Sequence, residues 1–164
     1  MGNIITNKLL VKGEKEEVNK VLDFIKVEKE DNAECNGRGT IDFNKITPMP
    51  KWICGSGYDF GGISNKAEEK YGKENTYLGW AQKNWGTRLN ASNLPNSYEN
   101  IIYFETEWNG VPRLIQKIAW IFPNVEIEYR YYEDGMDELN ISVYIFKDTE
   151  VLDKFNKFHL EDWQ

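Results

Sequence analysis

NWGTRLNA, Asn84 to Ala91, and FETEW, Phe104 to Trp108, decide how the rest of the chain is read. Trp85 is too large to leave in water cheaply, so it predicts an aromatic anchor for a loop. Gly86 frees the backbone at the next step. Arg88 offers a planar fork of donors that suits a carboxylate. Glu105 and Glu107 follow in a stretch that reads as a strand. Trp85, Thr87, Arg88, Glu105 and Trp108 are therefore expected to form one cluster, with an ion pair setting the loop's register against the sheet. The alternative is that Arg88 stays free for an anionic ligand group or a partner's carboxylate.

Outward from that cluster, periodicity supplies the other elements. Asn3 to Lys12 alternates as a first strand, with Ile5, Leu9 and Val11 on one face and Ile4, Thr6 and Leu10 on the other. Glu14 to Lys29 predicts a helix with Val18, Val21, Leu22 and Ile25 on one stripe and acids in its first turn. Thr40 to Ile46 reads as a second strand, stopped by Thr47-Pro48-Met49-Pro50. Residues 51–98 read as an insertion. It opens on the glycine-rich run Cys54 to Gly62, a flexible loop lacking any nucleotide-binding pattern. It continues with Ser64 to Lys83, helical in one or two pieces, whose candidate buried residues are Ala67, Tyr71, Leu78, Trp80 and Ala81. Tyr98 to Trp108 is the third strand. Val111 to Phe122 is a helix with Pro112 in its first turn. Val125 to Tyr132 and Glu138 to Phe146 are two further strands, expected to pair as a hairpin around Glu133-Asp134-Gly135. A short amphipathic helix carrying Val151, Leu152, Phe155 and Phe158 is expected at the end.

The order is β-α-β, an insertion, then β-α-β-β. This is α+β, the ferredoxin-like split βαβ arrangement in one domain over 1–164, with an extra C-terminal strand and a helical insertion after the second strand. Each helix has a single apolar stripe, so both should cover one sheet face. The opposite face would carry Tyr103, Glu105, Glu107, Glu126, Glu128, Arg130, Tyr132, Asn140, Ser142, Tyr144 and Phe146. It is read as a surface for a protein partner or for self-association, as a solvated face, or as one partly covered by the insertion.

Composition narrows the function classes. Hydrophobic residues make up 40% of the 164, enough for a real core. The net charge is -7, with most of the acidic excess in the second half. Such a chain disfavours general nucleic-acid binding. On the open face Glu105, Glu107, Glu126 and Glu128 outnumber Arg130, so no nucleic acid is expected there. Cys35 and Cys54 stand far apart outside any CxxC, which argues against a disulfide framework or a zinc site and for a cytoplasmic chain. No apolar run is long enough to span a membrane and no signal peptide is read.

Several motifs combine into a family likeness. They are Val11-Lys12-Gly13, the Ile46-Thr47-Pro48-Met49-Pro50 break, Trp85-Gly86-Thr87-Arg88-Leu89, Phe104-Glu105-Thr106-Glu107-Trp108, Phe122-Pro123 and Tyr131-Tyr132-Glu133-Asp134-Gly135. Together they resemble the YubB-type ferredoxin-like domain family of phage-, plasmid- and mobile-element-encoded proteins. That family carries a Trp-Gly-Thr-Lys-Trp-like segment before a Phe-x-Thr-Ala-Trp-like strand. This chain departs from it with Leu89 for an aromatic and Glu107 for a small residue, and the second departure offers Arg88 a local partner. The resemblance implies the fold and a mobile-element setting, and no activity.

No catalytic constellation emerges. His159 is the only histidine, with no nucleophile and orienting acid evident around it. Glu133, Asp134, Asp137 and Glu138 lack the EF-hand pattern and read as a solvated acidic turn. No metal and no cofactor is expected. The leading expectation is a noncatalytic interaction module of mobile-element type that binds a protein partner or itself through the open sheet face or the insertion. The second is an enzyme or small-ligand binder with a pocket between the insertion and the sheet near Trp85, Arg88 and Trp108.

Overall fold

The computed structural model describes residues 3–28, 36–55, 58–59, 62–63, 69–135, 140–157 and 163. His159, Phe158, Asp137, Glu138, Ala67 and Cys35 lie outside the described residues. In chain order the elements are β1 (Ile4–Lys12), α1 (Lys15–Ile25), α2 (Phe43–Ile46), α3 (Lys51–Gly55), β2 (Tyr58–Asp59), β3 (Gly62–Ile63) and, after a 3-10 turn at Lys73–Asn75, α4 (Tyr77–Asn84). Then come β4 (Ser92–Asn93), β5 (Ile101–Glu107), α5 (Pro112–Ile121), β6 (Glu126–Glu133), β7 (Ile141–Lys147) and β8 (Glu150–Lys157).

β1 lies inside a six-stranded sheet of order β4-β5-β1-β6-β7-β8, and every pairing is antiparallel. β1 alternates apolar residues, so one face of it is committed to the core. Leu9 and Val11 join Ile102, Phe104, Ile127 and Tyr129 there. The stripes of the two long helices, Val18, Val21, Leu22 and Ile25 of α1 and Leu114, Ile115, Ile118 and Ala119 of α5, close the same core. Burying such side chains stabilises each by roughly 1.5–3 kcal/mol relative to exposure.

Three expectations are corrected. The second strand does not form. Residues 41–42 are irregular and Phe43–Ile46 is a helical turn, because Asp42 caps it by accepting the N–H of Asn44 at 2.9 Å. Amide side chains do the work of a ladder instead. Asn93 Oδ1 accepts from the N–H of Ile41 at 2.8 Å and its Nδ2 donates to the Ile41 carbonyl at 3.2 Å, while Asn90 Oδ1 accepts from Phe43 N–H at 2.9 Å. The sheet edge next to β5 goes to the two residues of β4.

The second correction is the parity of β7. Cross-strand partners share a face, and the register pairs Ile127 with Phe146 and Tyr129 with Tyr144. Tyr144 and Phe146 therefore sit on the helix-covered face, with Phe146 buried in the core and Tyr144 packed against it. Ile141 and Val143 are buried on the opposite face. Each alternating set of β7 carries large apolar or aromatic side chains, Ile141, Val143 and Ile145 in one and Tyr144 and Phe146 in the other, so alternation alone could not choose.

The third is the C-terminal helix, which is replaced by β8. Asp148 adopts a left-handed φ of 54° and closes a tight turn pairing Lys147 with Glu150, and a returning strand then satisfies the exposed edge of β7. Of the candidate buried residues in the insertion, Ala81 is buried, Leu78 and Trp80 are half-buried and Tyr71 is exposed. No helix among the described residues is long and apolar enough to cross a membrane.

Candidate functional site

The predicted cluster divides into three. Trp85 caps the C-terminus of α4 and turns into the core at 2% exposure. Its ring meets Phe43 and Trp80 edge-on at 5.8 and 5.4 Å, and its Nε1 donates to the Thr47 carbonyl at 2.8 Å. Gly86 follows with a φ of 86° and lets the chain leave the helix. Thr87 is buried and its hydroxyl donates to the Glu107 carbonyl at 2.8 Å. Arg88 stands 3.8 Å from the carboxylate of Glu107, both half-exposed. The expected ion pair thus forms with Glu107 and not with Glu105. Trp108 is not packed with Trp85. Its ring is half-exposed, and its N–H donates to the Asn3 carbonyl at 2.8 Å.

The sheet face opposite the helices carries Tyr103, Glu105, Glu107, Glu126, Glu128, Arg130 and Tyr132, together with Thr6, Lys8 and Lys12 of β1. The two lysines change its electrostatics, so the expectation that Arg130 stands alone among carboxylates is corrected. Lys12 Nζ lies 2.9 Å from Glu128, and Arg130 Nε donates to the same carboxylate at 2.7 Å. Burial pushes the Glu128 carboxyl up, but the hydrogen bonds from Lys12 and Arg130 outweigh it and hold the group below its ordinary value. Lys8 is lowered, first by burial and then by the nearby Arg130 charge. The face is not bare either. Lys8 Nζ donates to the Trp163 carbonyl at 3.1 Å, and the Trp163 ring meets Tyr132 edge-on at 4.7 Å. Lys8 and Glu128 are each 8% exposed.

The loop after β5 builds a different feature. Trp108 adopts a φ of 74°, a left-handed conformation that bulky side chains rarely take. A buried polar network holds the loop in place. Asn7 Nδ2 donates to Thr106 Oγ1 at 3.0 Å, and Thr106 Oγ1 donates to the Asn109 carbonyl at 2.7 Å. The Tyr129 hydroxyl donates to Asn7 Oδ1 and accepts the N–H of Val111 at 2.8 Å. Tyr129 is wholly buried, which raises its phenol well above the ordinary range and keeps it a donor. Gly110 lies so close over Tyr131 that a Cβ there would stand 2.6 Å from the ring.

Beside this loop lies a groove of about 750 Å³, bounded by the end of α4, the loop 108–111, the first turns of α5 and the end of β6. Trp85 and Trp108 both line it, and Arg88 does not. Its charged lining is Lys83, Arg113 and Lys117 against Glu133. Lys83 is engaged by Glu74 at 2.8 Å, and Lys117 Nζ donates to Thr47 Oγ1 at 2.9 Å. Sequence reading pointed to the tryptophans but passed over Arg113 and Lys117, whose i, i+4 spacing on one helix was the available signal. No group of His, Cys, Asp and Glu among the described residues could hold a metal ion.

A family described as the ferredoxin-like domain in Api92-like protein matches residues 84–158. The match opens at the Asn84 of NWGTRLNA and runs through β5, α5 and the three strands after it, so it takes in the loop and the helix that wall the groove. It covers just under half of the chain, and the likeness is to that domain alone. No curated protein and no solved structure matches.

Proposed function

We propose that this chain is a noncatalytic recognition module of mobile-element type, and that it takes a protein partner in the groove beside Trp108. The carrying observation is the state of Trp108. A left-handed backbone costs an L-residue about 1–2 kcal/mol, and this one is spent on presenting a half-exposed indole. Strain of that kind persists only where the surroundings over-determine it, and it concentrates at binding and catalytic sites. Tryptophan is enriched among the few residues that carry most protein-binding energy. The mobile-element setting rests on the resemblance of NWGTRLNA and FETEW to the YubB-type domains. The sheet face is the weaker candidate, since Trp163 already lies against Tyr132 and the charges beneath it are mutually paired.

One observation favours a second reading as a small-ligand site: a volume of about 750 Å³ falls within the range of small-molecule pockets. Selection of a displayed random peptide library against the purified chain separates the two. The module reading expects peptides that bind the parent and Trp120→Ala, but not Trp108→Ala; Trp120 is the control because it is 49% exposed elsewhere on α5. Peptides indifferent to Trp108→Ala would refute it.

A further inference from the structure

We infer that the groove takes an acidic, extended segment of the partner protein, with an apolar side chain against Trp108 and carboxylates on Arg113 and Lys117. The inference rests on the partner-binding reading of the groove and adds the chemistry of the occupant. The chain as a whole carries -7, yet the groove's described lining has three cations and one acid. Lys83 already has a carboxylate partner in Glu74. Arg113 is exposed in the first turn of α5, and no salt bridge among the described residues includes it.

That position matters, because the positive end of a helix disfavours a cation. The first turn of α5 contains no acid to offset it. Arg113 thus stands where an incoming carboxylate gains from the guanidinium fork and from the helix end together. Lys117 lies one turn further along the same helix face, and its bond to Thr47 Oγ1 uses one of three ammonium donors. The exposed indole of Trp108 lines the same groove as the two cations. An extended segment with one apolar side chain flanked by acids suits that set of residues.

A nucleic acid fits less well. Its binding rests on many phosphate contacts that release counterions, and the groove has two cations to give. A chain of net negative charge also repels a polyanion at a distance. A peptide carrying a few carboxylates is matched to the site and meets much less repulsion.

The test uses the full chain and two fluorescein-labelled peptides, one alternating glutamate with leucine and one with every glutamate changed to glutamine. Anisotropy titrations are run with the parent, Arg113→Glu and Arg113→Lys, each checked by circular dichroism for an unchanged fold. The expected result is binding of the glutamate peptide that weakens with salt. Loss of roughly fivefold or more is expected in the glutamine peptide, and likewise in Arg113→Glu, with most of the affinity kept in Arg113→Lys. Equal binding of the two peptides, or indifference to Arg113→Glu, would overturn the inference. So would tighter binding of a single-stranded oligonucleotide that Arg113→Glu abolishes. Library peptides that need Trp108 but carry no acids would sink this inference and leave the proposed function standing.

Discussion

Gly110→Ala tests whether the loop that shapes the groove is held as closely as the structure requires. Gly110 has no left-handed φ to protect, so the substitution is a purely steric probe. The added Cβ would meet Cγ and Cδ1 of Tyr131 at 2.6 Å and Cδ2 at 2.7 Å. Ordinary carbon contacts lie near 3.5–4.0 Å, so loop and ring must part by about 1 Å. The ring is half-buried and held by its neighbours: it stacks on Tyr144 with centroids 6.3 Å apart and planes at 12°, and meets Tyr129 at 5.4 Å. Overpacking of this kind costs about 1–3 kcal/mol, a Tm decrease of roughly 2–12 °C for a chain of this size. Urea denaturation and thermal melting of parent, Gly110→Ala, Tyr131→Ala and the double variant complete a cycle. Removing the ring should abolish most of the penalty at position 110. An unchanged Tm in Gly110→Ala, or the same penalty with and without the Tyr131 ring, would refute the close approach.

Trp85→Ala should lower stability by about 4–6 kcal/mol, from the lost indole and the orphaned Thr47 carbonyl. Trp85→Phe should cost less than half as much in the same urea titration. Tyr129→Phe strips the hydroxyl that joins Asn7 to Val111, and should cost about 2–4 kcal/mol with a native circular dichroism spectrum. Glu128→Gln should destabilise by about 1–2 kcal/mol at neutral pH, discounted because its partner Lys12 is itself exposed. The Glu128 carboxyl is depressed below its ordinary 4.5 in the folded chain, so its contribution is present above that value and is lost as pH falls through the folded value. The gap between the urea midpoints of parent and variant should therefore narrow as pH falls below 4.5.

The ferredoxin-like scheme was legible because α1, β5, α5 and β6 each carry one clean periodicity, and β1 carries one broken only at Asn7. α1 and α5 have single apolar stripes, and β5 alternates buried and half-buried residues without a break. β7 was misread because Ile141, Val143 and Ile145 compete with Tyr144 and Phe146 for the core, and only the register with β6 decides. The strand expected at Thr40–Ile46 lost to side chains far along the chain: Asn90 and Asn93 satisfy its backbone groups, a long-range event that local pattern cannot reveal. β8 was hidden because Val151, Leu152 and Phe155 suit helical spacing as well as a strand. In the site, Trp85 was legible as a core anchor. Trp108 was not legible as a half-exposed one, since no sequence signal marks a left-handed tryptophan.

Amide chemical-shift mapping by NMR, with a peptide selected from the displayed library as the titrant, tests the central claim most directly. The account expects shifts concentrated at Asn84 to Gly86 and from Trp108 to Lys117, with Tyr103, Glu126 and Arg130 on the far sheet face unmoved. Shifts gathered on that face, with the loop 108–111 silent, would contradict it.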